Sequence, residues 1–170
     1  MATNLTIRDA AEADLPAIVE IYNHSIASRT ANANRDPVSV ESRREWFYAH
    51  SPERRPLWVA VEGERVIGWI GLADFLPRYA YHITAELSLY VAPDRQQQGL
   101  GAVLMERLIA ACPGIGVENL ISLIFAKNAG SIRLHEKMGF DRWGYMPQVT
   151  ELDDIRRDVV IMGRCVRSPA

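Results

Sequence analysis

The stretch that decides the fold is Ala85-Glu86-Leu87-Ser88-Leu89-Tyr90-Val91, followed after Pro93 by Arg95-Gln96-Gln97-Gln98-Gly99-Leu100-Gly101-Ala102. The first half alternates. Side chains on a strand point to opposite faces with period two, so Ala85, Leu87, Leu89 and Val91 share one face and Glu86, Ser88 and Tyr90 the other. A carboxylate on a central strand is costly unless it is hydrogen-bonded or lines a cleft. Glu86 therefore reads either as part of a wet sheet face or as a proton acceptor in a polar cleft. The second half is a glycine-bearing turn running into the apolar helix Val103, Leu104, Leu108, Ile109. Glycine at 99 and 101 lets backbone approach a ligand closely, and the unpaired N–H groups of a helix start form an anion site. It is not a Walker loop, since no Gly-Lys-Ser/Thr follows. It is not the dinucleotide fingerprint, since Leu104 stands at the third glycine. On its own the glycine pair reads as an ordinary turn; its value comes from its place directly after the polar-faced strand.

Outward from this stretch the chain alternates strands and helices. The pattern predicts a strand over Leu5 to Arg8, and a helix capped by Asp14 with Pro16 in its first turn. That helix carries Leu15, Ile18, Val19, Tyr22 and Ile26 at helical spacing. A polar loop spans 28 to 38, and a second helix begins at Ser39. Leu57 to Val61 and Val66 to Phe75 form a hairpin around Glu62-Gly63-Glu64. An aromatic and basic loop spans 76 to 82, followed by a strand over Ile83 to Val91. A helix over Gly99 to Ala111, a strand over Leu120 to Ala126 and a short helix over Ala129 to Met138 come next, and the last is stopped by Gly139. Strands over Phe140 to Gln148 and Asp158 to Val166 finish the chain. Hairpins mixed with crossovers predict one α/β (α+β) domain over 1–170, with a mixed, mostly antiparallel sheet flanked by helices.

The 170 residues fit one domain. Nineteen basic against twenty-one acidic residues leave no positive excess for binding phosphate backbones, so no nucleic-acid partner is expected. The longest apolar runs, Leu57 to Val61 and Val66 to Ala73, are far short of the ~20 residues that span a bilayer, so no membrane association is expected. No signal peptide is visible at the start. Two cysteines, Cys112 and Cys165, give neither a disulfide framework nor zinc spacing, so a cytoplasmic protein without a metal is expected. Asn4-Leu5-Thr6 and Asn23-His24-Ser25 then read as chance glycosylation patterns. Trp46, Phe47 and Trp58 read as core, Arg43-Arg44 and Arg54-Arg55 as solvated helix faces, and Cys112 as a small buried apolar group.

Gln96-Gln97-Gln98-Gly99-Leu100-Gly101 resembles the Gln/Arg-x-x-Gly-x-Gly/Ala motif of the GNAT superfamily of N-acetyltransferases. Asn128-Ala129-Gly130-Ser131-Ile132-Arg133-Leu134-His135-Glu136-Lys137-Met138-Gly139-Phe140 resembles the family's second cofactor segment. Ile7-Arg8-Asp9-Ala10, Asp14-Leu15-Pro16-Ala17-Ile18 and Met146-Pro147-Gln148-Val149 extend the likeness over nearly the whole chain. Thr84-Ala85-Glu86, Tyr90-Val91 and Ser131 to Lys137 are most similar to the phosphinothricin and methionine sulfoximine acetyltransferase branch.

The resemblance implies direct acetyl transfer from acetyl-CoA to the primary amine of a small molecule, such as an amino acid or its analogue. It implies that Leu89, Tyr90 and Val91 lie along the pantetheine arm, and that Gln96, Gln97, Gln98, Gly99, Leu100 and Gly101 hold the pyrophosphate. Asn128 and Ser131 would hold the arm further along. Glu86 would accept the ammonium proton, directly or through water, and His135 would serve the departing thiolate, with Tyr90 as a substitute. Phe75 and Arg78 would line the amine site beside Glu86. The branch's Trp-Arg-Pro is replaced here by Phe75-Leu76-Pro77, and leucine cannot make a bidentate carboxylate contact. Of the branch's Gly-Arg-Trp-x-Asp run only Asp158 survives. Branch members form homodimers. The same fold also suits acetylation of a protein N-terminus or lysine, or an acyl-CoA sensor without turnover.

Overall fold

The computed structural model describes residues 5–167; Met1 to Asn4, with the first glycosylation pattern's asparagine, lie outside them. Eleven regular elements follow the predicted order: β1 (Leu5–Asp9), α1 (Leu15–Ala27), α2 (Arg44–Tyr48), β2 (Leu57–Glu62), β3 (Arg65–Asp74), β4 (Thr84–Val91), α3 (Leu100–Ala111), β5 (Asn119–Phe125), α4 (Ala129–Lys137), β6 (Asp141–Leu152) and β7 (Ile155–Cys165). They build one seven-stranded sheet in the order β1-β2-β3-β4-β5-β7-β6. Every neighbouring pair is antiparallel except β4–β5, so the expected mixed, mostly antiparallel α/β sheet is present.

Two apolar layers sandwich the sheet. On one face Ala85 and Leu87 of β4 and Leu120 and Ile124 of β5 pack against Leu100, Leu104, Met105 and Leu108 of α3 and Ile132 of α4. On the other, Ile18 and Ile21 of α1 pack against Leu57 and Val59 of β2 and Trp69 of β3, joined by Tyr22, Trp46, Phe47 and Tyr90. Close approach on both sides uses β3 glycines. A Cβ at Gly68 would lie 3.2 Å from Leu100 of α3, and one at Gly71 would lie 2.9 Å from Leu57 and 3.4 Å from His50.

Two expected helix starts differ. Asp14 does not cap α1: its carboxylate takes two bonds from Arg8 (2.6 and 2.9 Å) and one from the Ala11 amide, and a 3-10 turn over Glu12–Asp14 leads into the helix. A charge-assisted bidentate pair outcompetes a single capping bond. Ser39 accepts from the Ser42 amide, but a 3-10 turn over Glu41–Arg43 follows and α2 proper starts at Arg44. Arg43 and Arg55 are not solvated. Arg43 is half-buried, and Arg55 is 3% exposed. Cys112 is buried and its thiol is pushed up to about 12 by burial, so it behaves as an apolar group. Among the described residues, no helix is long and apolar enough to cross a membrane.

Candidate active site

The sheet forks at Glu86. β4 stays paired with β3 from Asp74↔Ala85 to Gly68↔Val91, whereas its parallel pairing with β5 covers only Thr84↔Asn119, Ala85↔Leu120 and Glu86↔Ile121. Beyond Ile121, β5 follows β7 to Phe125↔Val159. The Ala92 amide donates to the Ile67 carbonyl. In an antiparallel ladder bonded and non-bonded residues alternate. Tyr90, Ser88 and Glu86 therefore direct their main-chain groups at β3, and Leu87, Leu89 and Val91 direct theirs away from it. With β5 gone, Leu89 and Val91 present an open main-chain edge to the fork, and Gln96 Nε2 reaches the Val91 carbonyl at 3.3 Å.

At the mouth of this edge sits the glutamine–glycine turn. Gln97 and Gly99 both adopt left-handed backbone, at φ +60° and +84°. Gly99 is the N-cap of α3. The amides of Gln97, Gln98, Gly99, Leu100, Gly101 and Ala102 donate to no acceptor among the described residues. Six idle donors at the positive end of a twelve-residue helix make an anion cradle. Gly101 packs α3 against its neighbours: a Cβ there would lie 3.1 Å from Leu134 and 3.5 Å from Leu89. A bulky residue at 101 would thus disturb packing as well as the cradle, whereas nothing lies within 4 Å of a Cβ at Gly99.

Glu86, Ser88 and Tyr90 are half-buried on the α1–α2 side. Glu86 makes no hydrogen bond or ion pair among the described residues, and burial raises its carboxyl above the usual range. Tyr90 packs against Trp69 (4.9 Å) and Tyr22 (5.2 Å), and burial raises its phenol. Phe75 meets Tyr81 edge-on at 5.9 Å. Arg78 is exposed and its side chain has no ion-pair partner among the described residues. The aromatic loop they belong to is held by Arg55, which donates to Asp74 Oδ1 (2.9 Å), where the loop leaves β3, and to the His82 carbonyl (2.9 Å), where it returns.

Asn128, Ser131 and His135 lie along one side of α4, from its N-cap to its last turn. Asn128 caps the helix, accepting from the Ser131 amide. His135 Nδ1 lies 2.8 Å from the Ser131 carbonyl and Nε2 lies 2.9 Å from Ser122 Oγ. A carbonyl only accepts, so Nδ1 carries the proton, and Nε2 accepts from the serine hydroxyl. His135 and Ser122 are each 3% exposed, and burial lowers the imidazole's pKa. Glu86 and His135 thus flank the fork from opposite faces of the sheet. The sequence reading named His135 but not its bonding partner Ser122, the first β5 residue beyond the β4–β5 pairing. It also missed Arg43, whose guanidinium lies over the rings of Tyr22 (4.6 Å) and Trp46 (4.2 Å). The three-residue step from Arg43 to Trp46 was the available signal.

An open strand edge leads into an amide cradle, with an unpartnered carboxylate across the strand, an arrangement that can take an extended anionic ligand along β4 and a second molecule at its far face. The chain belongs to the acetyltransferase (GNAT) family, whose model matches residues 18–140, and it is an acetyltransferase. It is 38% identical over 145 residues to the L-methionine sulfoximine/L-methionine sulfone acetyltransferase of Pseudomonas paraeruginosa, covering 85% of this chain and 84% of that one. It is 33% identical over 145 residues to the phosphinothricin N-acetyltransferase of Alcaligenes faecalis, covering 85% and 74%. A solved phosphinothricin acetyltransferase from Sinorhizobium meliloti, in complex with acetyl-CoA, superposes with a TM-score of 0.90 at 30% identity, covering 96% of this chain and 89% of that one.

Proposed function

We propose that the protein transfers the acetyl group of acetyl-CoA to the primary amine of an amino acid or amino-acid analogue in a ternary complex. The fork carries this reading: an open edge at Leu89 and Val91 suits the amide-bearing pantetheine arm, and the idle amides from Gln97 to Ala102 suit its pyrophosphate. Acetyl-CoA supplies the activated acyl group as a thioester. The names of the relatives support the amine class.

Transfer makes one C–N bond and breaks one C–S bond, so a proton must leave the ammonium and one must reach sulfur. An alkyl ammonium has a pKa of ~10.4, so the first step needs an acceptor at neutral pH. Glu86 fits: it is unpartnered, half-buried and more basic than an exposed carboxylate. The second demand is milder, because an ordinary thiol has a pKa of ~8.5. We assign His135 a positioning role there. Its single ring proton is committed to the Ser131 carbonyl and its lone pair to Ser122, so a neutral ring in this setting has no proton to spare for sulfur. Asn128 and Ser131 stand along the same side of the fork. Phe75 and Arg78 border the amine site on the loop that Arg55 anchors.

We further propose a homodimer in the cytoplasm. Trp143, Tyr145 and Val149 leave exposed apolar side chains along the edge strand β6 at the sheet's end, which supports self-association. Two free cysteines, one of them exposed, suit a reducing compartment.

The test is coenzyme A release from acetyl-CoA across L-methionine sulfoximine, L-methionine sulfone, phosphinothricin, polyamines and peptide N-termini. Turnover confined to the amino-acid group supports the reading. Turnover confined to peptides or polyamines, or binding of acetyl-CoA without turnover of any amine, overturns it.

A further inference from the structure

Several arginines here hold a carboxylate. Arg8 holds Asp14, Arg44 holds Glu12 and Glu41, Arg54 and Arg55 share Asp74, Arg65 holds Asp94, and Arg95 holds Glu62. Arg43 does not. Its guanidinium is half-buried and makes no hydrogen bond or ion pair among the described residues. Its contacts are the faces of Tyr22 and Trp46. A stack of that kind engages the guanidinium's flat face and leaves its edge, with five N–H donors in a rigid fork, unsatisfied. Arg55, more deeply buried, shows the contrast: its donors reach Asp74 and the carbonyls of Arg54 and His82.

The stack also orients the group. Trp46 is pinned edge-on to Trp69 (5.4 Å) and to His50 (4.8 Å), whose Nδ1 donates to the Trp46 carbonyl. Tyr22 is fixed by an Asn34 amide donating to its hydroxyl at 2.8 Å. Trp69, Tyr22 and Tyr90 form one aromatic wall, and Tyr90 lies on the same β4 face as Glu86. Both Arg43 and Glu86 act electrostatically on the Tyr90 phenol, yet they do not pair with each other. One wall of the cleft therefore holds an unpartnered cation and an unpartnered carboxylate. A zwitterion with a protonated amine and a carboxylate matches both.

We infer that Arg43 is the anion subsite of the acceptor, a specificity-determining residue that takes the substrate carboxylate through its free edge and fills the place left by Leu76. The inference rests on the N-acetyltransferase reading for its substrate, and its test separates the two. L-methionine sulfone and its carboxamide are compared as acceptors in wild type, Arg43→Gln and Arg43→Lys. Thermal melting and the KM for acetyl-CoA verify that the variants remain folded. In Arg43→Gln the KM for the sulfone rises at least tenfold with kcat within threefold, while neither constant moves for the carboxamide. Arg43→Lys, which keeps the charge and loses the fork, falls between. An equal change for both acceptors, or none for the sulfone, overturns the inference. Where wild type turns over neither acceptor, the function reading has failed, and the subsite is judged by binding alone. A saturable change in tryptophan fluorescence with the sulfone but not the carboxamide, lost in Arg43→Gln, supports it. The same response in wild type and variant, or no response in wild type, overturns it.

Discussion

Glu86→Gln should make the protein slower and, at neutral pH, more stable. The substitution keeps size and hydrogen-bonding shape while removing the charge. A positioned general base contributes ~10²–10⁴-fold to rate, about 2.7–5.4 kcal/mol of barrier at ~1.36 kcal/mol per tenfold. The kcat/KM for the amine should fall by that factor at pH 7.5, with the KM for acetyl-CoA unchanged because Glu86 points away from the open edge. The stability arm follows from burial. Desolvation raises the Glu86 pKa in the folded state above its ordinary value of 4.5. In the window between 4.5 and that raised value the native state binds more protons than the unfolded state. Stability therefore falls as pH rises through the window, each unit of pKa shift being worth ~1.36 kcal/mol. The glutamine variant is neutral throughout, so it should gain stability over wild type above the window and match it near pH 4. Urea unfolding at pH 4 and 7.5, with coenzyme A release at 7.5, reads both arms. A kcat/KM within threefold of wild type would remove Glu86 from the chemistry. A loss of stability at pH 7.5 would show that its charge is satisfied and the desolvation argument wrong.

Three further outcomes follow from the site. Ser122→Ala leaves the buried Nε2 of His135 without a donor, which should destabilise the fold by about 1–3 kcal/mol in urea titration; a neutral result would mean that water replaces the hydroxyl. Both His50 and His135 have pKa values lowered by burial, so their contribution to stability is present above ~6.5 and lost as pH falls through their folded values. Nitrogen NMR should show His135 as the Nδ1–H tautomer at pH 7 with a midpoint below 6.5, and an Nε2–H signal would contradict the assigned bonds. Gln97→Glu, at an exposed position already in left-handed backbone, sets a carboxylate beside the amide cradle. Acetyl-CoA affinity by calorimetry should drop about 2- to 5-fold, the equivalent of ~0.3–1 kcal/mol at a helix N-terminus, and less at high salt; unchanged affinity would remove the pyrophosphate from this turn.

Which parts of this were legible in the sequence depends on the range of the interaction involved. Period-two alternation placed Glu86, Ser88 and Tyr90 on one face of β4, because side-chain direction is local. Glycine and proline stops gave the element order for the same reason. The fork was not legible. Whether β4 and β5 stay together past Glu86 depends on whether β5 finds β7, a pairing between segments some forty residues apart, such as Ile121 with Gly163. Ser122 was invisible as the partner of His135 because thirteen residues and a helix turn separate them. Arg43 and Arg55 were misread because charge alone does not reveal burial: a guanidinium enters a protein when rings or a carboxylate wait there, and Tyr22 and Asp74 lie about twenty residues away in opposite directions along the chain.

The fork also explains why the acidic residue sits at 86 rather than at 88 or 90. Glu86, Ser88 and Tyr90 all face the α1–α2 side, so side-chain direction does not distinguish them. Glu86 is the last β4 residue paired on both sides, to Ala73 and to Ile121. Its own main-chain groups face β3 and those of its neighbours Ala85 and Leu87 face β5, so the strand is held there from two directions, whereas Ser88 and Tyr90 lie beyond the β5 pairing. Reacting atoms must be kept within ~3–3.5 Å of one another, and a base on a doubly paired residue drifts least. Beyond Leu87, the freed groups of Leu89 and Val91 form the edge that suits the thioester arm. On the proposed reading, the strand places acceptor chemistry on a side chain and donor binding on main chain, separated by little more than the pleat of a single strand. That separation is set by covalent geometry rather than by a loop, and a shift of β4 against β3 by one residue would exchange the two faces and lose both proposed roles together.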